Sequence, residues 1–176
     1  MEFLLFFLLI WVLVFVLIAV HEAGHYLAGW MGGIPARNMR VVLFAFPQHV
    51  ALRDGEEWVS PIQDIQRYIT ITQRYFGSYW TAFAWVAGGM VVELVFVTCV
   101  WSAALYMGYR AVGFWTACVS LSMYAINIGL MDLPWALRYR CAVGDTSGLW
   151  QIARLPAVIF SIVMATSRIL LVMFSA

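Results

Sequence analysis

The chain has 176 residues, 64% of them hydrophobic and only 11% charged, with a mean hydropathy of +0.88. A soluble domain would carry about a quarter charged residues, so the composition excludes an ordinary water-exposed fold and implies an integral membrane protein. The formal net charge of +1 says nothing about nucleic acid, and no basic tract points to it.

The first predicted span runs from about residue 3 to 30, and Phe3 to Val20 holds no charge. It opens on Glu2 instead of a basic stretch, and its apolar run is too long for the core of a signal peptide. No small-residue cleavage site follows, so it reads as a retained helix. Gly32-Gly33-Ile34-Pro35 stops it. In the loop 31–78, Met39 to Phe46 and Gln48 to Arg53 read as two short strands of a β-hairpin around Pro47. Ser60-Pro61-Ile62-Gln63 then reads as a capping box with proline at the first helical position. Ile62, Ile65, Ile69, Thr72 and Phe76 recur at helical spacing after it, which predicts an amphipathic helix lying in the membrane interface.

Further spans are predicted at about 79–107, interrupted by Glu93, at 111–131, and at 155–176, which contains Arg168. Each supplies the roughly 20 residues needed to cross a bilayer core. The loop 132–154 lies between the last two. The expected fold class is therefore all-α integral membrane, a single membrane domain over 1–176 with about four transmembrane helices. Cys99, Cys118 and Cys141 form no C-x-x-C pair and read as small packed residues.

All ten basic residues are arginine. Eight lie in the loops 31–78 and 132–154, and only Arg110 lies in the intervening turn. By the positive-inside rule both loops are cytoplasmic and both termini outside. The expected host is the bacterial inner membrane, with an organellar membrane as the alternative.

His21-Glu22-Ala23-Gly24-His25 ends the first apolar stretch, and three ionisable residues within five positions of a membrane helix demand a reason. Histidines four apart share one helical face, so both can reach one metal ion. The glutamate between them is then placed to handle water at that metal, the mechanics of the H-E-x-x-H zinc hydrolases. A catalytic zinc takes a third protein ligand. Counted along the helices, Glu93 and Arg168 fall at matching depth, about 21 and 20 Å from the inner face. They are expected to pair with each other, well away from the histidines, in a structural role. Asp132 and Asp145 both lie on the side of the histidines and both remain candidates, with His49 a weaker one.

H-E-x-x-H on a membrane helix, followed by an aspartate near the end of a later helix, resembles the site-2 protease family of intramembrane zinc metalloproteases. That family's third ligand follows an Asn-x-x-Pro element and sits in an Asp-Gly motif. This chain has Met131-Asp132-Leu133-Pro134, with Asn127 a turn earlier, and Asp145 followed by Thr146-Ser147-Gly148. Ala87-Gly88-Gly89 is similar to the family's Ala-Gly-Pro element without the proline. The strand pair resembles the family's membrane-dipping hairpin, which offers an edge to substrate. The resemblance implies zinc held by His21, His25 and Asp145, with Asp132 as the rival third ligand, and Glu22 as the general base. It implies hydrolysis of peptide bonds in or near transmembrane segments of other membrane proteins. The departures leave a second expectation: an inactive relative serving as a structural or accessory subunit of a larger membrane protein assembly. The spacing argues against haem ligation, because axial ligands approach from opposite sides.

Overall fold

A computed structural model describes residues 2–139, 142 and 144–175. The chain forms helix α1 (Glu2–Met31) and strands β1 (Met39–Val42), β2 (His49–Asp54) and β3 (Glu57–Val59). Helices α2 (Ile65–Tyr75), α3 (Tyr79–Tyr106) and α4 (Arg110–Ile126) follow. A π-helical turn at Asn127–Asp132 leads into α5 (Leu133–Tyr139), then α6 (Asp145–Ile152) and α7 (Arg154–Met173). Among the described residues, four helices are long and apolar enough to cross a membrane: Glu2–Met31, Tyr79–Tyr106, Arg110–Leu130 and Arg154–Met173. Their outward side chains, among them Leu4, Trp11, Val95 and Ile162, are large, apolar and exposed. Cys141 and Arg140 lie outside the described residues, as does the last residue of the fourth expected span.

Helix α1 runs on because nothing from Phe3 to Val20 competes with its backbone bonds. It stops where Gly33 adopts φ 104, a left-handed conformation that side chains resist. Gly33 N then donates to Trp30 O and Ile34 N to Gly29 O, the paired bonds of a Schellman cap, while the Ile34 side chain is buried.

The β-region is a three-stranded antiparallel sheet in the order β1-β2-β3. Met39 faces Leu52 across the first pair, and Asp54 faces Glu57 across the second. The expected first strand is cut short at Val42, and the third strand was not expected. Gly55, at φ 66, opens the two-residue turn that makes it, the position where a tight hairpin wants a positive φ.

The expected amphipathic helix is present but starts later. Ser60 Oγ accepts from Ile62 N in a turn, and Asp64 is the cap, its carboxylate accepting from Arg67 N at 3.0 Å. The buried face is also rotated, to Tyr68, Ile71 and Thr72. Tyr68 goes inside because its hydroxyl finds Val50 O at 2.7 Å, and its ring stacks on Trp85. Burial, with the negative charges of Glu22 and Asp145 nearby, pushes its pKa far up, so it remains a donor. Tyr68 and Ile71 join Ile34, Met39, Val50, Leu52, Val59 and Trp85 in a core between sheet, α2 and α3.

Helix α3 is the centre of the molecule, packed against α1, α4, α6 and α7. Its crossing with α1 is closed by glycine on both sides. A Cβ on Gly24 would run into Gly88 O and come within 2.9 Å of Gly89 Cα, and one on Gly88 would meet Ala28 Cβ at 2.5 Å. The two backbones therefore touch, as small residues at a helix interface allow.

Two outcomes follow from these contacts. Gly24→Ala inserts a methyl against a backbone carbonyl that cannot step aside, so it should destabilise the fold by about 1–3 kcal/mol or more. Unfolding in mixed micelles measures this, and wild-type stability would refute the crossing. Asp54 accepts from Arg67 Nε at 2.8 Å and Arg74 Nη1 at 2.9 Å, and these two bonds hold its carboxyl below the usual range. A depressed folded pKa stabilises fully above the unfolded value, about 3.9, and that stabilisation is lost as pH falls through the folded one. Wild type and Asp54→Asn should thus differ modestly at pH 7 and converge in acid; parallel melting curves from pH 7 to 3 would contradict this.

Candidate metal centre

His21 and His25 stand one turn apart on α1, and the rings meet edge to face with centroids 4.9 Å apart. Their Nε2 atoms are 3.1 Å apart. Asp145, the first residue of α6, brings Oδ2 to 2.8 Å from His21 Nε2 and 3.3 Å from His25 Nε2. These three side chains offer one ligand atom each, all within 4.8 Å of one another, a set that can hold a metal ion.

Each imidazole is fixed from behind. His25 Nδ1 lies 3.0 Å from Trp85 O, and His21 Nδ1 lies 3.3 Å from Glu93 Oε2. Donation of Nδ1–H to these acceptors leaves Nε2 of both rings for the cluster, the arrangement usual for metal-ligating histidine. Gly89 makes room for it. A Cβ there would lie 2.6 Å from His21 Nε2 and 2.5 Å from His25 Nε2.

Asp145 reaches the histidines because of how α6 is held. The stretch 132–154, expected as a loop, contains α5 and α6. Asp132 is buried, and its Oδ2 accepts from Ser147 N at 2.8 Å, one of the unpaired donors of the first turn of α6. Ser147 Oγ bonds back to Gly144, whose lack of a side chain lets Asp132 approach: a Cβ would meet Asp132 Cγ at 2.9 Å. Leu149, fully buried among Ala87, Met90, Tyr124, Ala157 and Met164, pins the other end of α6. Of the two candidate aspartates, Asp145 is at the cluster and Asp132 anchors the helix that carries it. His49 is not part of the cluster; its Nδ1 bonds Pro47 O at 3.0 Å.

Burial alone would raise the Asp145 pKa. The adjacent imidazoles, His25 through charge and both through hydrogen bonds, more than offset this and hold the carboxyl far below its usual range. It is therefore anionic throughout the neutral range. Glu22 is buried within electrostatic reach of both imidazoles, and among the described residues no hydrogen bond or ion pair engages its carboxylate.

A comparison with protein-family models finds no match, and neither does one with curated proteins or one with solved structures.

Glu93 departs from expectation. It does pair with Arg168, whose Nη2 is 3.4 Å from Glu93 Oε1, but it also reaches His21. The expected separation holds only if α1 matches the bilayer in length, which would put the histidines at the inner face. With 30 residues it is about 45 Å long, against a core of about 30 Å. Counted from the ends that share the 31–78 segment, His21 is about 15 Å in and Glu93 about 21 Å, a gap that helix tilt and two side chains close. The contact of His25 with Trp85 O leaves no signal in sequence, because a backbone acceptor is available on any residue.

The two aspartates are separable by metal binding, read with cobalt(II) through its visible absorption. Asp145→Asn should weaken binding at least about tenfold, as loss of a ligand carboxylate requires. Asp132→Asn keeps an oxygen for Ser147 N and should bind nearly as wild type. The reverse order would exchange their roles.

Proposed function

We propose that this chain is an integral membrane zinc metalloprotease that hydrolyses peptide bonds in or beside transmembrane segments of other membrane proteins. The observation that carries this reading is the convergence of His21 Nε2, His25 Nε2 and Asp145 Oδ2 beside a buried, unengaged Glu22. Tetrahedral zinc with bonds of about 2.0–2.1 Å sets its ligand atoms roughly 3.3–3.4 Å apart. The three separations here, 2.8, 3.1 and 3.3 Å, need only slight opening to meet that geometry.

Charge is compatible with the same reading. The carboxylates of Glu22, Glu93 and Asp145 lie around the imidazoles, and the buried guanidinium of Arg168 pairs with Glu93. With both imidazoles neutral, as ligation requires, two negative charges are left, which a bound divalent cation would offset.

His21, His25 and Asp145 would hold the zinc, which when bound supplies Lewis acidity towards the scissile carbonyl. Glu22 takes the proton of the attacking water and returns it to the leaving amine. The strand β1 lies at the edge of its sheet, and an extended substrate segment can add to such an edge. The arginine distribution supports an orientation with this end of α1 towards the cytoplasm, in a bacterial inner membrane, and the outward apolar faces of the four long helices suit lipid.

Glu22→Gln tests the assignment. The variant should retain zinc and lose cleavage of a model transmembrane substrate by about 10²–10⁴-fold. Zinc bound by wild type with no cleavage would replace the protease by the accessory-subunit reading, and no zinc at all would dismiss the metal centre.

A further inference from the structure

The two histidines are anchored unequally. Behind His25 stands a neutral carbonyl, whereas behind His21 stands a carboxylate that is itself held from two other helices. Glu93 Oε1 accepts from Ser120 Oγ at 2.8 Å, and Ser120 Oγ accepts from Arg168 Nε at 3.1 Å. Arg168 Nη1 donates to Met164 O at 3.2 Å, and the guanidinium lies 4.6 Å from the centre of the Tyr124 ring. Ser120 and Arg168 are fully buried and Glu93 is 5% exposed.

A structural ion pair in such an interior would be expected to put both carboxylate oxygens on the guanidinium fork, the strongest arrangement the two groups have. Here they do not. Only Oε1 faces Arg168 and Ser120, and Oε2 is turned across the helix interface to His21. The carboxylate is thus divided between a fixed side and a side aimed at a ligand.

We propose that Glu93 is a positioning residue of the metal centre, the outer carboxylate of a carboxylate–histidine–metal triad whose orientation is set by Ser120 and Arg168. The inference rests on the metal reading above. Accepting Nδ1–H of His21 fixes the tautomer with the Nε2 lone pair towards the cluster, stops the ring turning about its χ2 axis, and makes it a stronger donor. Arg168, with Nη2 3.4 Å from Oε1, is the opposite charge that a carboxylate in an apolar interior needs. Ser120 occupies Oε1, so Oε2 is the oxygen left for His21.

The test compares wild type, Glu93→Gln, and the double variant Glu93→Leu with Arg168→Met, which removes both charges together and leaves no lone guanidinium. The full-length protein in detergent is titrated with zinc against a chelator, and its cobalt(II) absorption is recorded. The double variant should bind zinc about 10–100-fold more weakly, with a shifted cobalt spectrum, and Glu93→Gln should fall between. In the zinc-loaded protein the His21 Nδ1–H proton resonance should move upfield in Glu93→Gln, a change that a merely structural carboxylate would not produce. Unchanged zinc affinity and cobalt spectrum in the double variant, or an unmoved resonance in Glu93→Gln, overturns the inference and leaves the metal reading standing. If wild type binds no zinc, the metal reading falls and this inference with it.

Discussion

Charge inside an apolar bundle must be answered within the bundle, and that constraint governs most of this structure. Arg168 has no route to water, so it draws on Glu93, Ser120, the Met164 carbonyl and the face of Tyr124. Glu93 in turn touches His21, and His21 touches Asp145. One chain of polar contacts therefore joins α1, α3, α4, α6 and α7 through a mostly apolar interior. Such a network specifies how the helices meet more than it stabilises them, since apolar substitutes would pack as well but would leave their rotation open.

The steric counterpart is the glycine contact between α1 and α3. Gly24 lies inside the H-E-x-x-H run, so the helix face beside the two histidines is also the face that touches its neighbour's backbone. Gly88 receives that contact and Gly89, next to it, clears the space in front of the imidazoles. Close approach and open space thus come from adjacent residues. This explains why a motif of chemically active side chains is interrupted by small ones, with packing and access met on the same helical turn.

What could be read from the residues divides along the range of the interactions. The four long helices were legible because each is a sustained apolar run, and His21, Glu22 and His25 because their spacing on one helix fixes their relation. Asp145 was legible as a candidate through its place after Pro134, ranked above Asp132 only by the family resemblance; that Asp145 lies beside the histidines while Asp132 bonds Ser147 N depends on α6 docking. Glu93 was misplaced because distance along a helix gives depth only where helix length and bilayer thickness agree. The third strand carried a signal in Asp54-Gly55, a turn dipeptide between two short apolar segments. The start of α2 was ambiguous, since Ser60 and Asp64 are both capping residue types, and packing of Tyr68 and Ile71 on the sheet chose the later one.

The contact between His21 and Asp145 joins residues 124 apart in the chain. Closing a loop of that length carries a large entropic penalty, which the intervening helices must already have offset by packing. No shorter portion of the chain that ends before α6 contains the cluster, so during synthesis the histidines and Glu22 exist for most of the time as unassembled parts. The cluster is therefore assembled late, with the docking of an eight-residue helix, after α1, the sheet, α3 and α4 have all been made.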